Sequence, residues 1–296
     1  MSDTLHLIDA SIYVFRAWHS MPREFFDTDG APVNAVHGFT RFLCDFLERV
    51  QPTHVAVAFD ESLTSSFRNA IYPAYKANRE LPPDELKVQF AYCKRVAAAL
   101  GLCVLGDAQY EADDLIGSAL TVARGHGMRG VIVSADKDFG QLVGADVEQW
   151  DFSRDVRWDA HGVKQRLGVR PDQVIDYLAL TGDAIDNIPG VPGVGPKTAA
   201  QLLANFDSLD ALYARVEEVP YLRLRGAAQT CTRLKEHRAQ AMLSRTLASI
   251  VLDAPVPGQP ALLARAAGDT GALDDLLETL RFGPLTRKRC RDLLLV

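Results

Sequence analysis

The 296 residues contain no Cys-x-x-Cys pair, no excess of positive charge, and no apolar run near the ~20 residues that span a bilayer. The five cysteines (Cys44, Cys93, Cys103, Cys231, Cys290) are scattered and odd in number, which argues against a disulfide framework or a cysteine zinc site. Such thiols behave as small hydrophobes in a reducing compartment, so a cytoplasmic location is expected. The start, MSDTLHLIDA, carries Asp3 and no basic stretch ahead of a hydrophobic run, so neither a secretory signal nor a membrane partner is expected. Repeats and low-complexity tracts are lacking too, and nothing in the pattern demands a dimer; a monomer is expected.

What is present is enough apolar residue, 48%, to bury a core, and a length that suggests about two domains. The net charge of −6 would count against a nucleic-acid partner only if the acids were evenly spread. They are not. Between Tyr221 and Arg245 the only acid is Glu236, against Arg223, Arg225, Arg233, Lys235, Arg238 and Arg245.

Residues 1–175 alternate apolar strand runs with helical periodicity, the βαβ rhythm of a mostly parallel sheet flanked by helices. VEQWDF reads as an edge strand of that sheet. Residues 176–255 carry helical patterns only. The stretch 256–296 begins in the linker-like APVPGQPA segment and closes with a helical extension. The fold class is therefore α/β followed by a small all-α domain.

Three of the apolar runs, LHLID, THVAVAFD and GVIVSAD, end on Asp9, Asp60 and Asp136. Ligands of open α/β sheets bind outside the carboxyl ends of the strands, so these carboxylates converge on one edge. YEADDL adds Glu111, Asp113 and Asp114 at a helix start, where acids also simply complement the macrodipole. SADKDFGQLV adds Asp138, in an Asp-x-Asp pattern that is also a common turn cap. TGDAIDN places Asp183 and Asp186 three apart at a helix end, able to share one face although that end repels negative charge. Two carboxylates ~4 Å apart repel by roughly 4 kcal/mol at an effective dielectric of 20, so a cluster of them calls for cations. Oxygen donors without nearby His or Cys suit Mg²⁺ or Mn²⁺, and two such ions can clamp a phosphodiester under hydrolysis.

In NIPGVPGVGPKTAA, Gly190, Gly193 and Gly195 allow close backbone approach, and Pro196 opens a helix whose first turn holds Lys197 and Thr198. Exposed N–H groups there can grip a phosphate; a tight helix–helix connection is the plainer alternative. SSFRNAIYPAYKANRELPPDE interleaves Arg68, Lys76 and Arg79 with Tyr72 and Tyr75, which suits a single strand, or else a solvated surface loop.

The succession Asp9, Asp60, FRxxxxxxYKxxR, YEADDL, SADKDFGQLV and TGDAIDNIPGVPGVGPKTA resembles the 5′-nuclease domain of bacterial DNA polymerase I and the wider flap endonuclease family. The resemblance runs from the first strand to about Ile250, and no polymerase region follows, so it is to a free-standing 5′-3′ exonuclease. It implies a PIN-like catalytic domain with a helical arch at about 66–95, and a helix-three-turn-helix domain of helix-hairpin-helix type. It also implies that Asp9, Asp60, Glu111 and Asp113 hold a first metal with Asp114 close by. Asp136, Asp138, Asp183 and Asp186 would hold or orient a second. Lys76 and Arg79 would steer the scissile phosphate at the arch base. Arg68, Tyr75, Gly190, Gly193, Gly195, Lys197, Thr198 and Arg225 would contact DNA. A potassium ion would bridge the hairpin to the duplex. The implied activity is Mg²⁺-dependent cleavage of DNA with a 5′ end or flap in replication and repair, near the bacterial nucleoid, alongside a polymerase or ligase. Some free-standing relatives lack the acids matching TGDAIDN; here both are present. Pro196 stands where the polymerase domains often carry an acid. Two rivals stay open: a PIN-type ribonuclease, and a DNA-structure-binding module without catalysis.

Overall fold

In the computed structural model, which describes residues 3–61 and 65–295, the apolar runs LHLID and HVAVAFD become adjacent parallel strands. Strand β1 (Thr4–Asp9) lies between β2 (His54–Asp60) and β4 (Arg129–Val133), with β3 (Cys103–Asp107) outside β2. Strand β5 (Val147–Asp151) continues beyond β4, and β6 (Val156–Trp158) closes that side antiparallel. VEQWDF is thus not the edge strand expected; the short β6 behind it takes the edge, and β5 is covered on both sides.

Strand order β3-β2-β1-β4-β5-β6 reverses direction between β1 and β4, which makes that gap the topological switch point. Register aligns Asp9 with Ala58 and Ile8 with Val133. Asp60 and Asp136 therefore emerge just beyond Asp9 on the same sheet edge.

The period-2 alternation of the strands separates two apolar layers. Val55, Val57 and Phe59 face one core with helices α1 (Ala10–Ser20), α2 (Asn34–Val50) and α4 (Asp84–Ala99). Ala56, Ala58, Leu5 and Leu7 face the other, covered by α5 (Ala112–Gly125). The five-residue α3 (Phe67–Ile71) precedes α4, and α6 (Ala160–Leu167) follows β6.

A third core gathers α7 (Val174–Thr181), α8 (Pro196–Phe206), α9 (Leu209–Ala214), α10 (Ala227–Glu236) and α11 (Arg238–Ala248). Tyr75 and Val143 from the first part of the chain belong to it as well. Helix α7 stops at Thr181, because Gly182 takes φ +69 where a Cβ would meet the Ile188 carbonyl at 2.4 Å. Asp183 and Asp186 consequently sit in a loop closed by paired Asp183–Ile188 backbone bonds of 2.8 and 2.9 Å, not on one helix face as expected.

The segment 256–296 is no free linker and extension. Ala264 bridges to His54 beside β2, and Leu263 enters the α5 core. Helices α12 (Thr270–Thr279) and α13 (Pro284–Asp292) bury Leu273, Leu276, Leu277 and Cys290 against α2 and α4. Its Pro/Gly content is local turn chemistry, while the apolar spacing after it is core. Among the described residues no helix is long and apolar enough to cross a membrane.

Candidate active site

The strand-end acids open onto one cleft of about 650 Å³. Asp9, Asp60, Glu111, Asp113, Asp136, Asp138 and Asp186 all line it, together with Lys76 and Arg79. Five acidic stretches, the first and last 177 positions apart (Asp9 to Asp186), are brought together because β1, β2 and the turn after β4 share an edge that the α5 N-terminus faces.

Two serines orient the carboxylates. Ser11 Oγ donates to Asp60 Oδ2 at 2.7 Å, and Asp60 Oδ1 accepts the Ala112 N–H at 2.9 Å, which ties β2 to the start of α5. Ser134 Oγ donates to Asp9 Oδ2 at 2.8 Å and accepts from the Asp136 N–H at 3.1 Å. Neither serine stood out in the sequence. Each lies two residues from a strand-end aspartate, and that spacing is the signal that points to them. Glu61 also lines the cleft, paired with Lys94.

YEADDL divides its acids between the cleft and the core. Asp113 keeps part of its surface in the cleft, and Asp114 is fully buried. Carboxylate atoms of Glu111, Asp113 and Asp114 come within 4.8 Å of one another. Yet Asp114 accepts from Arg68 Nη1 and Nη2 at 2.7 Å each, from the Glu111 N–H at 3.2 Å and from the Val251 N–H at 2.8 Å. Its lone pairs are spent on the protein, which corrects the expectation that it attends a metal. Arg68 is 1% exposed, and Tyr75, also buried, donates its hydroxyl to Glu111 Oε2 at 2.9 Å. Neither can touch a nucleic-acid strand from there; both brace the acids from behind.

Lys76 Nζ lies 2.7 Å from Glu111 Oε1 and 3.8 Å from Asp186 Oδ2, and Arg79 pairs with Asp186. Burial pulls the Lys76 ammonium down, but Glu111 and Asp186 outweigh it and raise it above the ordinary lysine value. Asp183 does not line the cleft: it is buried, pairs with Lys137 and accepts the Ile185 N–H at 2.8 Å. Gly190 spends its N–H on Ser244 Oγ at 3.0 Å and its carbonyl on Gln240 at 2.7 Å, so it serves the hairpin's own packing rather than a phosphate. Gly193 takes φ +77 with the Arg233 guanidinium where a Cβ would stand, 1.9 Å from Nη1. Gly195 caps α8, with Lys197 and Thr198 in its first turn, and Arg225 is exposed just before α10. This hairpin group and Arg225 lie outside the cleft.

The sequence profile of the 5′-3′ exonuclease N-terminal resolvase-like domain matches residues 4–168, and that of the 5′-3′ exonuclease C-terminal SAM fold matches residues 169–270. The chain belongs to the 5′-3′ exonuclease family. Relatives of this family member include the DNA polymerase I of Rhizobium leguminosarum, 38% identical over 293 residues covering 97% of this chain and 28% of the polymerase. That of Pseudomonas aeruginosa is 40% identical over 287 residues, 92% of this chain and 31% of the polymerase. The chain thus spans less than a third of the length of these curated relatives. In fold it is similar to a bacteriophage T5 flap endonuclease solved as a pseudo-enzyme–product complex with DNA and metal ions, with a TM-score of 0.67, 19% identity, and 99% and 98% of the two chains covered. The catalytic core of Rad2 in complex with DNA substrate gives a TM-score of 0.64 at 16% identity, covering 99% and 92%.

The cleft of this exonuclease-family chain fits divalent cations. Its donors are carboxylate oxygens, with no His or Cys among the lining residues. Asp138 Oδ1 is buried without a hydrogen-bond partner. Burial, and then the Asp60 and Asp136 charges, push Asp9 up to about 7 against the Ser134 hydrogen bond. Burial raises Asp113 well above the carboxylate range despite Arg68, and burial with the Asp136 charge does the same to Asp138.

A pH dependence follows. The folded state holds the Asp9 proton up to about 7 whereas the unfolded chain releases it near 3.8. Its contribution to metal-free stability is therefore present below about pH 4 and lost as pH rises through 7. A cation must displace these protons at low pH but not at high pH. Melting with Mg²⁺ against EDTA should show an upward shift of roughly 5–10 °C at pH 8 and much less at pH 5.5. Equal shifts at both pH values would separate the acids from the metal.

Proposed function

We propose that this chain is a divalent-metal-dependent 5′ nuclease that hydrolyses DNA phosphodiesters at a 5′ end or 5′ flap. The observation that carries the reading is the convergence of eight carboxylates, Glu61 among them, on one open cleft with Lys76 and Arg79 beside them. Asp9, Asp60, Glu111 and Asp113 are assigned to one cation, and Asp136, Asp138 and Asp186 to the other, with Asp183 holding the loop that presents Asp186. Mg²⁺ or Mn²⁺, when bound, acidifies a water and neutralises charge on the phosphate. Ser11 and Ser134 hold the carboxylates in their ligand orientation, a task that conserves geometry as charge moves. Lys76 and Arg79 grip the non-bridging oxygens and stabilise negative charge on the leaving oxygen as its bond to phosphorus breaks.

Residues 1–175 are assigned to catalysis, completed by Asp186, and residues 176–255 are otherwise assigned to holding the duplex. Gly193, Gly195, Lys197 and Thr198, with a K⁺ ion, would take backbone phosphates, and Arg225 would add a contact. Recognition then follows DNA shape more than sequence. A polymerase or ligase working at the same nick would be the natural partner of a monomeric nuclease.

The test is a Mg²⁺ titration with a 5′-labelled flap on duplex DNA, run beside a matched RNA flap. Cleavage of the DNA flap in Mg²⁺ and none in EDTA is the expected result. Preferential cutting of RNA would favour a ribonuclease, and binding without cutting at any Mg²⁺ concentration would leave only a structure-binding module.

A further inference from the structure

We propose that Lys76 and Arg79 form an internal counter-ion clamp that occupies one half of the cation site and must release it before a second divalent ion binds. The proposal rests on the reading that the cleft holds two cations. The charge in the cleft is unevenly matched. Glu111 has both oxygens engaged, Oε1 by Lys76 at 2.7 Å and Oε2 by Tyr75 at 2.9 Å and Arg68 at 3.2 Å. Asp186 is paired with Arg79 and faces Lys76 at 3.8 Å. Among the described residues, by contrast, no Lys or Arg forms an ion pair with Asp9, Asp60, Asp113, Asp136 or Asp138. A first cation can therefore enter among these five aspartates without breaking an ion pair. Filling both positions draws Glu111 into one ligand set and Asp186 into the other, so arrival of the second cation has to displace an ammonium and a guanidinium.

The clamp is built into the backbone rather than being a chance meeting of side chains. Lys76 adopts φ +55, a left-handed conformation uncommon for a side chain of this size, and its N–H donates to the Asp186 carbonyl at 3.0 Å. Asn78 Nδ2 donates to the Ala184 carbonyl at 2.8 Å, and Asn187 Nδ2 to the Ala74 carbonyl at 2.6 Å. These bonds lace the 74–79 turn to the 183–188 loop and so aim Lys76 at Glu111 and Asp186. The side-chain pairings are the detachable part: long cationic stems can swing away while the laced backbone stays. Once freed, the same two cations are available to a phosphodiester, so completing the ligand set and arming the phosphate grip become one event. Until then the protein carries its own substitute for the missing charge.

Calorimetric titration of the full chain with Mn²⁺ at pH 8, without DNA, tests this. The wild-type chain should bind one ion tightly and a second at least about 10-fold more weakly. Lys76→Met, which keeps the stem, and Arg79→Ala should each tighten the second step by about 10-fold and leave the first unchanged, with far-UV circular dichroism confirming the fold. Two equally tight ions in the wild-type chain, or a second step that the variants leave unchanged or weaken, would overturn the clamp while sparing the metal site. A folded wild-type chain that binds no Mn²⁺ would overturn the two-cation reading itself.

Discussion

Asp113→Ala and Asp136→Ala are each expected to lower cleavage of a 5′-flap DNA by at least about 10³-fold, or ~4 kcal/mol of barrier, while flap binding changes little. Both side chains line the cleft, but they reach it from different elements: Asp113 from the first turn of α5, Asp136 from the turn after β4. Neither is part of a buried pairing whose loss would unfold the protein. Asp113 accepts the neighbouring Asp114 N–H at 2.8 Å, and Asp136 the Asp138 N–H at 3.0 Å. Removing one carboxylate also relieves repulsion in a cluster where Asp9 and Asp138 already feel the Asp136 charge. The metal-free variants should therefore be at least as stable as the wild-type chain, and the loss should be confined to the chemical step. Single-turnover cleavage in Mg²⁺ and a binding titration in EDTA measure the two halves separately. Normal cleavage by either variant would sink the assignment of that residue.

The second large effect concerns stability. Arg68→Ala should destabilise the fold by about 3–5 kcal/mol, because it leaves buried carboxylates without their counter-charge. Arg68 is 1% exposed and bonds to Glu111, to both oxygens of Asp114, and to the Leu247 and Ser249 carbonyls at 2.9 and 2.8 Å. It thereby joins the α5 start to the end of α11, across the two parts of the chain. Lysine cannot replace it, since a point ammonium does not reproduce the two-pronged contact with Asp114. Replacing Asp114 together with Arg68 by apolar residues should recover part of the loss. Urea unfolding of the single and double variants gives the comparison, and a loss below about 1 kcal/mol for Arg68→Ala would show the network to be incidental.

Much of the acidic sheet edge was legible before any fold was seen. A run of β-branched and aliphatic residues that ends on an acid states both the strand and where its carboxylate points. Asp9, Asp60 and Asp136 followed from that alone, and the structure brings them together. YEADDL was legible only as a group. Successive helical residues point in different directions, so Asp113 faces the cleft while Asp114 turns into the core, and the sequence carries no mark of which does which. FRNAIYPAYK misled for a related reason. Interleaved Arg and Tyr resemble a strand-binding surface, but Arg68 meets its partners 43 and 46 residues further on, and only their burial reveals a brace. The APVPGQPA stretch reads as a linker because turns and linkers share a composition; Ala254, buried in the α5 core with its N–H on Ser118 Oγ at 2.8 Å, shows it to be a seam.

By itself, then, the amino-acid order determined the alternating α/β first part, the helical second part, and the chemistry of the site: oxygen donors in excess, cations nearby, a Pro/Gly hairpin. These are local properties, set by side-chain period and by residue type. Tertiary structure alone decided which acids share the cleft, which one is spent on Arg68, and that Lys76 and Arg79 close on Glu111 and Asp186. Those outcomes depend on contacts between residues tens to hundreds of positions apart. Their energies come from burial and from distances that only the folded chain defines.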